Sequence, residues 1–175
     1  MSRRALAALV ATIVLVLDQI TKVWAVAALS DGPYVVIDGF LRLAEARNPG
    51  ASFSTFTDAG QIIAVIAFGV IGVVFVLVDR VHHTLDIVGL GLIMGGAAGN
   101  LADRIFRGTG FLDGAVVDFI DFDFFPSFNV ADAAINVGVG LLLIGTFVLG
   151  HGRDESGPPP ALDTTAGEGG VERDR

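Results

Sequence analysis

The sequence predicts an all-α polytopic membrane protein with four transmembrane helices and a small extracytoplasmic sheet. Its 175 residues are 53% hydrophobic with a mean hydropathy of +0.69, which excludes an ordinary soluble domain. A helix needs roughly 20 apolar residues to cross a bilayer. Four stretches approach that length: Ala5–Leu29, Gln61–Val78, Ile87–Ile105 and Val130–Gly150.

The first stretch begins like a signal peptide, because Arg3 and Arg4 precede an apolar run. Asp18 and Lys22 inside that run, together with the three later spans, favour a retained transmembrane helix. Asp18 and Lys22 are four residues apart, so they share a helix face and can pair. We expect them to form a structural ion pair.

The segment 30–60 between the first two spans predicts a sheet rather than a linker. The run PYVVIDGFLRLAEARN alternates apolar and polar residues over short stretches, which is typical of strands lying on a surface. The second outer loop, 107–128, ends in VVDFIDFDFF. Side chains alternate between faces in a strand, so Asp118 shares its face with Ile120, Phe122 and Phe124. We expect desolvation on that apolar face to raise the pKa of Asp118.

Two polar stripes mark the outer ends of the third and fourth spans. Asn100, Asp103 and Arg104 follow the small-residue run GGAAG, which predicts close helix packing. Asn129, Asp132 and Asn136 fall at i, i+3 and i+7, on one face of the fourth helix. Asn129 as a helix cap, with Asp132 in the first turn, is the structural alternative, but Asn136 extends the stripe deeper than a cap requires.

Charge indicates that both termini lie in the cytoplasm. Arg3 and Arg4 flank the first span, and Arg80 lies between the second and third. Positive residues concentrate on the cytoplasmic side. The outer loops also hold arginines, which weaken this bias: Arg42, Arg47, Arg104 and Arg107. We interpret Arg47 and Arg104 as recruited to a site.

The sequence divides into a transmembrane domain, 1–150, and a tail, 151–175. The tail is polar and rich in Pro and Gly, so we expect it to be disordered and cytoplasmic. It holds six of the nineteen acidic residues, so the net charge of −8 says little about partners of the membrane domain. The chain has no basic stripe of the kind that binds nucleic acid.

Elimination leaves carboxylate chemistry as the functional hypothesis. The chain has no cysteine, no HExxH motif and no GxSxG motif, which argues against thiol, zinc-protease and serine-hydrolase sites. Carboxylates near lipid are costly and usually functional. Asp118 and Asp132 therefore suggest acids that share a proton and activate water, although each could merely end a strand or cap a helix. Asp121 and Asp123 could belong to a carboxylate site for magnesium or calcium. The simpler interpretation is that they keep a strand edge solvated.

Four segments together resemble the lipoprotein signal peptidase (signal peptidase II) family. They are DQITKVW, RNPGASFS, GNLADRIF followed by VVDFIDF, and FNVADAAIN, in the family's order across residues 18–136. The resemblance implies a bacterial inner-membrane aspartic endopeptidase that cuts prolipoproteins just before a cysteine carrying diacylglycerol. It implies a substrate-cradling sheet in the first outer loop, and no metal or organic cofactor.

The same resemblance implies roles for individual residues. Asp118 and Asp132 match the catalytic dyad, with the active site near the outer face of the membrane. The remaining matches are assigned to substrate binding or site support: Asn48, Asn100, Asp103, Arg104 and Asn129. Asn136, from the polar stripe of the fourth helix, is assigned to the same group. Asp18 and Lys22 match the first helix's D-Q-x-T-K segment. The stretch RIFRGTGFLDGAV between Asp103 and Asp118 departs from the family pattern by its length.

Two other classes compete with a protease. A small transporter or proton relay would also bury carboxylates, but should place them near the bilayer midplane. Here Asp103, Asp118 and Asp132 all fall at the outer ends of spans. A non-catalytic lipid-binding scaffold would tolerate Asp→Asn at both dyad positions. Our interpretation is a monomeric protease that contacts membrane lipid and prolipoprotein substrates.

Overall fold

Four apolar helices form the body of the protein. The computed structural model describes residues 1–50 and 59–149, and in these residues the helices are α1 Arg3–Ala28, α2 Ala59–Leu77, α3 Thr84–Phe106 and α4 Val130–Ile144, which a π-helical turn, Gly145–Leu149, extends. All four are long and apolar enough to span a membrane. The predicted fold class is therefore confirmed. The predicted disordered tail lies outside the described residues, as does the end of the RNPGASFS segment.

Helix α3 is the central helix, packed against α1, α2 and α4. Its glycines let the neighbouring backbones approach closely. A Cβ on Gly95 would lie 2.7 Å from the Ala11 carbonyl oxygen of α1, and a Cβ on Gly96 would lie 2.7 Å from Ile135 Cγ1 of α4. The GGAAG run therefore makes the close helix contacts that its composition predicts.

A four-stranded antiparallel sheet lies beside the helices, as the outer loops predicted. Its order is β1 Tyr34–Ile37, β2 Leu41–Asn48, β3 Val116–Phe122 and β4 Phe125–Phe128. Strand β3 is internal and pairs with both β2 and β4. Phe119 of β3 packs against Ala25 of α1 and against Leu29, which follows that helix, and Val116 to Phe119 are all buried. The start of β3 is therefore covered on both faces, and solvation begins only near Asp121, which pairs with Arg42 at 2.5 Å.

The loop 107–115 carries the chain from α3 into β3. Leu112 has a positive φ of 56°, which is rare for a residue with a branched side chain. Its side chain is buried against Ala64 and Leu101, and the Gln61 amide donates to the Phe111 carbonyl oxygen at 2.9 Å. These contacts attach the loop to α2 and fix where β3 begins.

Candidate active site

Asp118 is the third residue of β3 and is only 3% exposed. Its Oδ1 accepts a hydrogen bond from Asn129 Nδ2 at 2.7 Å, and its Oδ2 accepts one from Asn48 Nδ2 at 3.2 Å. Burial raises the pKa of Asp118, and the nearby charge of Asp132 raises it further, while the two amide donors and Lys22 oppose the change. The carboxyl group is thus buried but held at both oxygens.

Asp132 occupies the first turn of α4 and shares a capping box with Asn129. The Asp132 N–H donates to Asn129 Oδ1 at 3.0 Å, and the Asn129 N–H donates to Asp132 Oδ2 at 3.2 Å. The other end of the Asn129 amide reaches Asp118. The sequence offered a helix cap and a functional polar stripe as alternatives. Asn129 and Asp132 belong to both, because they form the cap and also face the site.

Asn100 of α3 links Asp132 to the amide of Asn129, which in turn reaches Asp118. Its Nδ2 donates to Asp132 Oδ1 at 2.8 Å. Its Oδ1 accepts from Asn129 Nδ2 at 3.2 Å and from Lys22 Nζ at 2.9 Å. Two amides thus bridge the two carboxyl groups and orient both of them toward common space.

That common space is a cavity of about 250 Å³. Its walls come from β2, β3 and helices α2, α3 and α4 and mix polar and apolar groups: Asn48, Gly50, Ile63, Asn100, Arg104, Val116, Asp118 and Asp132. A second cavity of about 280 Å³ lies between β2 and β4 and shares Asn48 and Asp118 with the first. Asp118 therefore borders both cavities.

Arg104 closes one side of the first cavity. Its Nη1 donates to the carbonyl oxygens of Pro49 and Gly114 at 3.2 Å each. Gly50 and Gly60 lie against the guanidinium, and a Cβ on either would come within 3.0 Å of it. Gly50 also has a φ of +103°, which favours glycine. Arg104 thus ties the end of β2 to the loop before β3.

A buried ionic network lies behind the cavity. Asp18, Lys22 and Asp103 are fully buried, and Lys22 Nζ lies 2.9 Å from a carboxylate oxygen of each aspartate. Arg107 is 2.8 Å from the other oxygen of Asp103. Two acids and two bases are therefore in contact, which removes much of the cost of burying them. The predicted Asp18–Lys22 pair is present, but as part of this larger network.

Most of the residues singled out from the sequence meet at this one end of the bundle, and one does not. Asn136 is exposed, and its side chain donates to the Asp132 carbonyl oxygen at 3.0 Å, away from the cavity. Arg47 pairs with Glu45 at 2.6 Å and borders the second cavity.

Sequence reasoning missed Gln19. Its amide donates to Asp18, to the Gly99 carbonyl oxygen and to Asp103 at 3.1–3.2 Å. Two signals were available: a polar side chain next to Asp18 inside an apolar run, and the second position of the D-Q-x-T-K segment.

Four helices long and apolar enough to span a membrane, a small sheet and a polar cavity define the class of the chain as a multi-pass membrane protein. A solved structure described as a bacterial membrane enzyme, at 2.3 Å resolution, matches with a TM-score of 0.71 and 27% identity, covering 87% of this chain and 94% of that one. A second structure of the same description, at 1.9 Å, matches with a TM-score of 0.68 and 29% identity, covering 81% and 92%.

The chain belongs to the signal peptidase II family. The family model described as signal peptidase (SPase) II matches residues 10–148. Lipoprotein signal peptidases of Rhodococcus jostii and Mycobacterium avium are 43% and 42% identical to it, covering 83% and 85% of this chain and 74% and 81% of their own lengths. Membership makes the chain a bacterial multi-pass membrane protease of lipoprotein processing.

Proposed function

We propose that the protein is an aspartic endopeptidase whose catalytic dyad is Asp118 and Asp132. It cleaves prolipoproteins just before a cysteine that carries diacylglycerol. The observation that carries this proposal is that both carboxyl groups border one cavity and are bridged by the amides of Asn100 and Asn129. Two carboxylic acids that line one cavity and influence each other's charge do not both ionise readily, so we propose that the pair shares one proton.

The environments of the two aspartates support different roles. Asp118 is the more deeply buried, and burial raises its pKa, so it is the protonated partner. Asp132 lines the cavity from the first turn of α4, where its Oδ2 accepts the Asn129 N–H. Asp132 is therefore the general base and Asp118 the general acid.

The reaction is then a hydrolysis in two steps. Asp132 takes a proton from water as the water oxygen bonds to the scissile carbonyl carbon, and Asp118 gives its proton to the carbonyl oxygen. The tetrahedral intermediate collapses as the C–N bond breaks. Asp132 passes its proton to the departing amine, and Asp118 recovers one from the hydroxyl group, which restores the starting state.

The surroundings of the dyad support a lipid-linked peptide as substrate. The first cavity joins polar groups of β2 and β3 to Ile63 on α2, an exposed apolar residue on a spanning helix. Asn48 borders both cavities. It can therefore contact the peptide while its amide donates to Asp118. Asp103 and Arg104 support the walls.

The charged end of the helix bundle opposite the dyad supports an orientation for the chain in the membrane. Arg4 pairs with Asp79, which follows α2, and lies 5.0 Å from the Phe75 ring. The positive-inside rule supports a cytoplasmic location for this arginine-bearing end, and we propose that both termini lie inside and the dyad near the outer face. We propose that residues 1–150 are the peptidase domain and act as a monomer.

Cleavage of a peptide with a diacylated cysteine by the purified protein tests the proposal. Asp118→Asn and Asp132→Asn should each abolish turnover while folded yield persists, because asparagine keeps the shape but cannot exchange the proton. The double variant should be scarcely worse than either single, since the two act as a unit. Asp121→Asn and Asp123→Asn, farther along the β3 hairpin, are matched controls and should stay active.

The decisive measurement is the turnover of Asp132→Asn. A rate within about tenfold of the wild type, roughly 1.4 kcal/mol, would reject the aspartic mechanism. Loss of activity in Asp121→Asn equal to that in Asp118→Asn would reject the assignment of the dyad.

A further inference from the structure

We propose that Lys22 is a positioning residue for catalysis: its ammonium determines which way the Asn100 amide faces and so directs an N–H toward Asp132. This inference rests on the proposed function of Asp132. It gives Lys22 a role beyond the structural ion pair that its spacing from Asp18 predicts.

Three contacts of Lys22 carry the argument. Its Nζ lies 2.9 Å from Asp18 Oδ2, 2.9 Å from Asp103 Oδ2 and 2.9 Å from Asn100 Oδ1. An ammonium has three N–H donors and no acceptor. Its three contacts therefore account for all of its donors, and each partner must present an oxygen.

This requirement fixes the Asn100 amide. With its oxygen toward Lys22, the Asn100 Nδ2 faces Asp132 Oδ1 at 2.8 Å. A flipped amide would set NH2 against the ammonium and against Asn129 Nδ2, and an oxygen against the Asp132 carboxylate, which makes three repulsive contacts in a buried region. Removing the ammonium removes the charged one of the two donors to Asn100 Oδ1 and leaves only Asn129 Nδ2. The preference for this orientation therefore weakens, and the hydrogen bond to Asp132 is formed for a smaller share of the time.

Lys22 also reaches both backbone segments that carry the dyad. Asp18 Oδ1 accepts from the Ala131 N–H at 3.0 Å, next to Asp132 in the chain. Asp103 Oδ2 accepts from the Val117 N–H at 3.1 Å, next to Asp118. One ammonium on α1 thus holds the two carboxylates that anchor the start of α4 and the start of β3.

A purely structural account makes a different prediction. If Lys22 only balances buried charge, any substitution that restores the balance should restore activity. Lys22→Met alone leaves an unbalanced carboxylate and is expected to lower folded yield. Asp18→Asn together with Lys22→Met restores the balance and leaves Asp103 paired with Arg107, but supplies no ammonium to Asn100.

Two double variants of equal charge separate the accounts: Asp18→Asn/Lys22→Met and Asp18→Asn/Lys22→Gln. Glutamine is similar in length to methionine but has N–H groups that can face Asn100. We measure kcat and KM on the diacylated peptide and the melting temperature of each. We expect both doubles to melt above Lys22→Met. The kcat of the methionine double should be about a hundredfold below that of the wild type, the scale of a misplaced catalytic contact, with little change in KM. The kcat of the glutamine double should be at least about tenfold higher than that of the methionine double.

Arg107→Gln is the matched control, because Arg107 contacts the same Asp103 carboxylate but not Asn100. It should lower the melting temperature and leave kcat near the wild-type value. Equal kcat for the two doubles, or a kcat in the methionine double within about tenfold of wild type, would overturn the role of Lys22. Failure of the proposed function is a separate result, because Asp132→Asn would then remain active whatever Lys22 does.

Discussion

The contact between α3 and α4 at Gly96 offers a test of how tightly the site depends on helix packing. Gly96 lies one turn before Asn100, and it faces the residue that precedes Asp132. A Cβ at this position would lie 2.7 Å from Ile135 Cγ1 and closer still to the Ala131 carbonyl oxygen. Since that oxygen belongs to the backbone, Gly96→Ala must move α4 as a whole.

The size of the movement follows from contact distances. Non-bonded carbons rest about 3.5–4.0 Å apart, so the helices must separate by roughly 1 Å. The bond from Asn100 Nδ2 to Asp132 Oδ1 is 2.8 Å long, and an added ångström stretches it beyond hydrogen-bonding range. We expect about a hundredfold loss of kcat. Overpacking of this kind costs about 1–3 kcal/mol of stability.

Gly140→Ala is the control. Gly140 lies on α4, the helix that Gly96→Ala would displace, and a Cβ added to it would have nothing within 4 Å. It should keep wild-type cleavage and equal or slightly higher stability. Cleavage of the diacylated peptide gives kcat. Fluorescence of Trp24, the single tryptophan, which packs edge-on against Phe119 at 6.3 Å, follows thermal unfolding. If Gly96→Ala and Gly140→Ala behaved alike in both assays, direct backbone contact would not be what positions Asp132.

The pH dependence of stability provides another prediction. Because burial raises the folded-state pKa of Asp118, the folded protein holds this proton more tightly than the unfolded chain, and its stability falls as pH rises from about 4 through the folded pKa. The charges near Asp118 are Asp132, Lys22 and Arg104. The melting temperature should therefore drop less over this range in Asp118→Asn than in the wild type, and an equal drop would contradict a buried acid. Truncation after His151 should leave insertion and cleavage nearly unchanged, whereas a loss of more than about tenfold would give the tail a role.

The helices and strands could be predicted because their signals are local. Apolar length located the spans to within a few residues, and two-residue alternation located β2 and β3. The spacing of three residues between Asn129 and Asp132 predicted both the helix cap and the polar stripe. Such patterns depend only on neighbours in the chain, so they survive without knowledge of the packing.

The buried network could not be predicted fully because its partners are distant in sequence. Lys22 and Asn100 are 78 positions apart, and nothing in either segment says that one binds the other. The helical spacing placed Asn136 on the same face of α4 as Asp132, but Asn136 does not line the cavity. Spacing alone could not show this, because a helix face is wider than the cavity that it borders. The positive φ of Leu112 depends on a pocket formed by α2 and α3, which the sequence of the loop does not contain.

The double duty of Asp132 limits how this site can change. The same carboxylate that faces the cavity also accepts the Asn129 N–H and closes the capping box at the start of α4, so a substitution that leaves no side-chain oxygen at this position also breaks the capping box. Few single mutations can satisfy both demands. An inhibitor that draws its affinity from Asp132 would therefore leave the protein few routes to resistance at the point of contact.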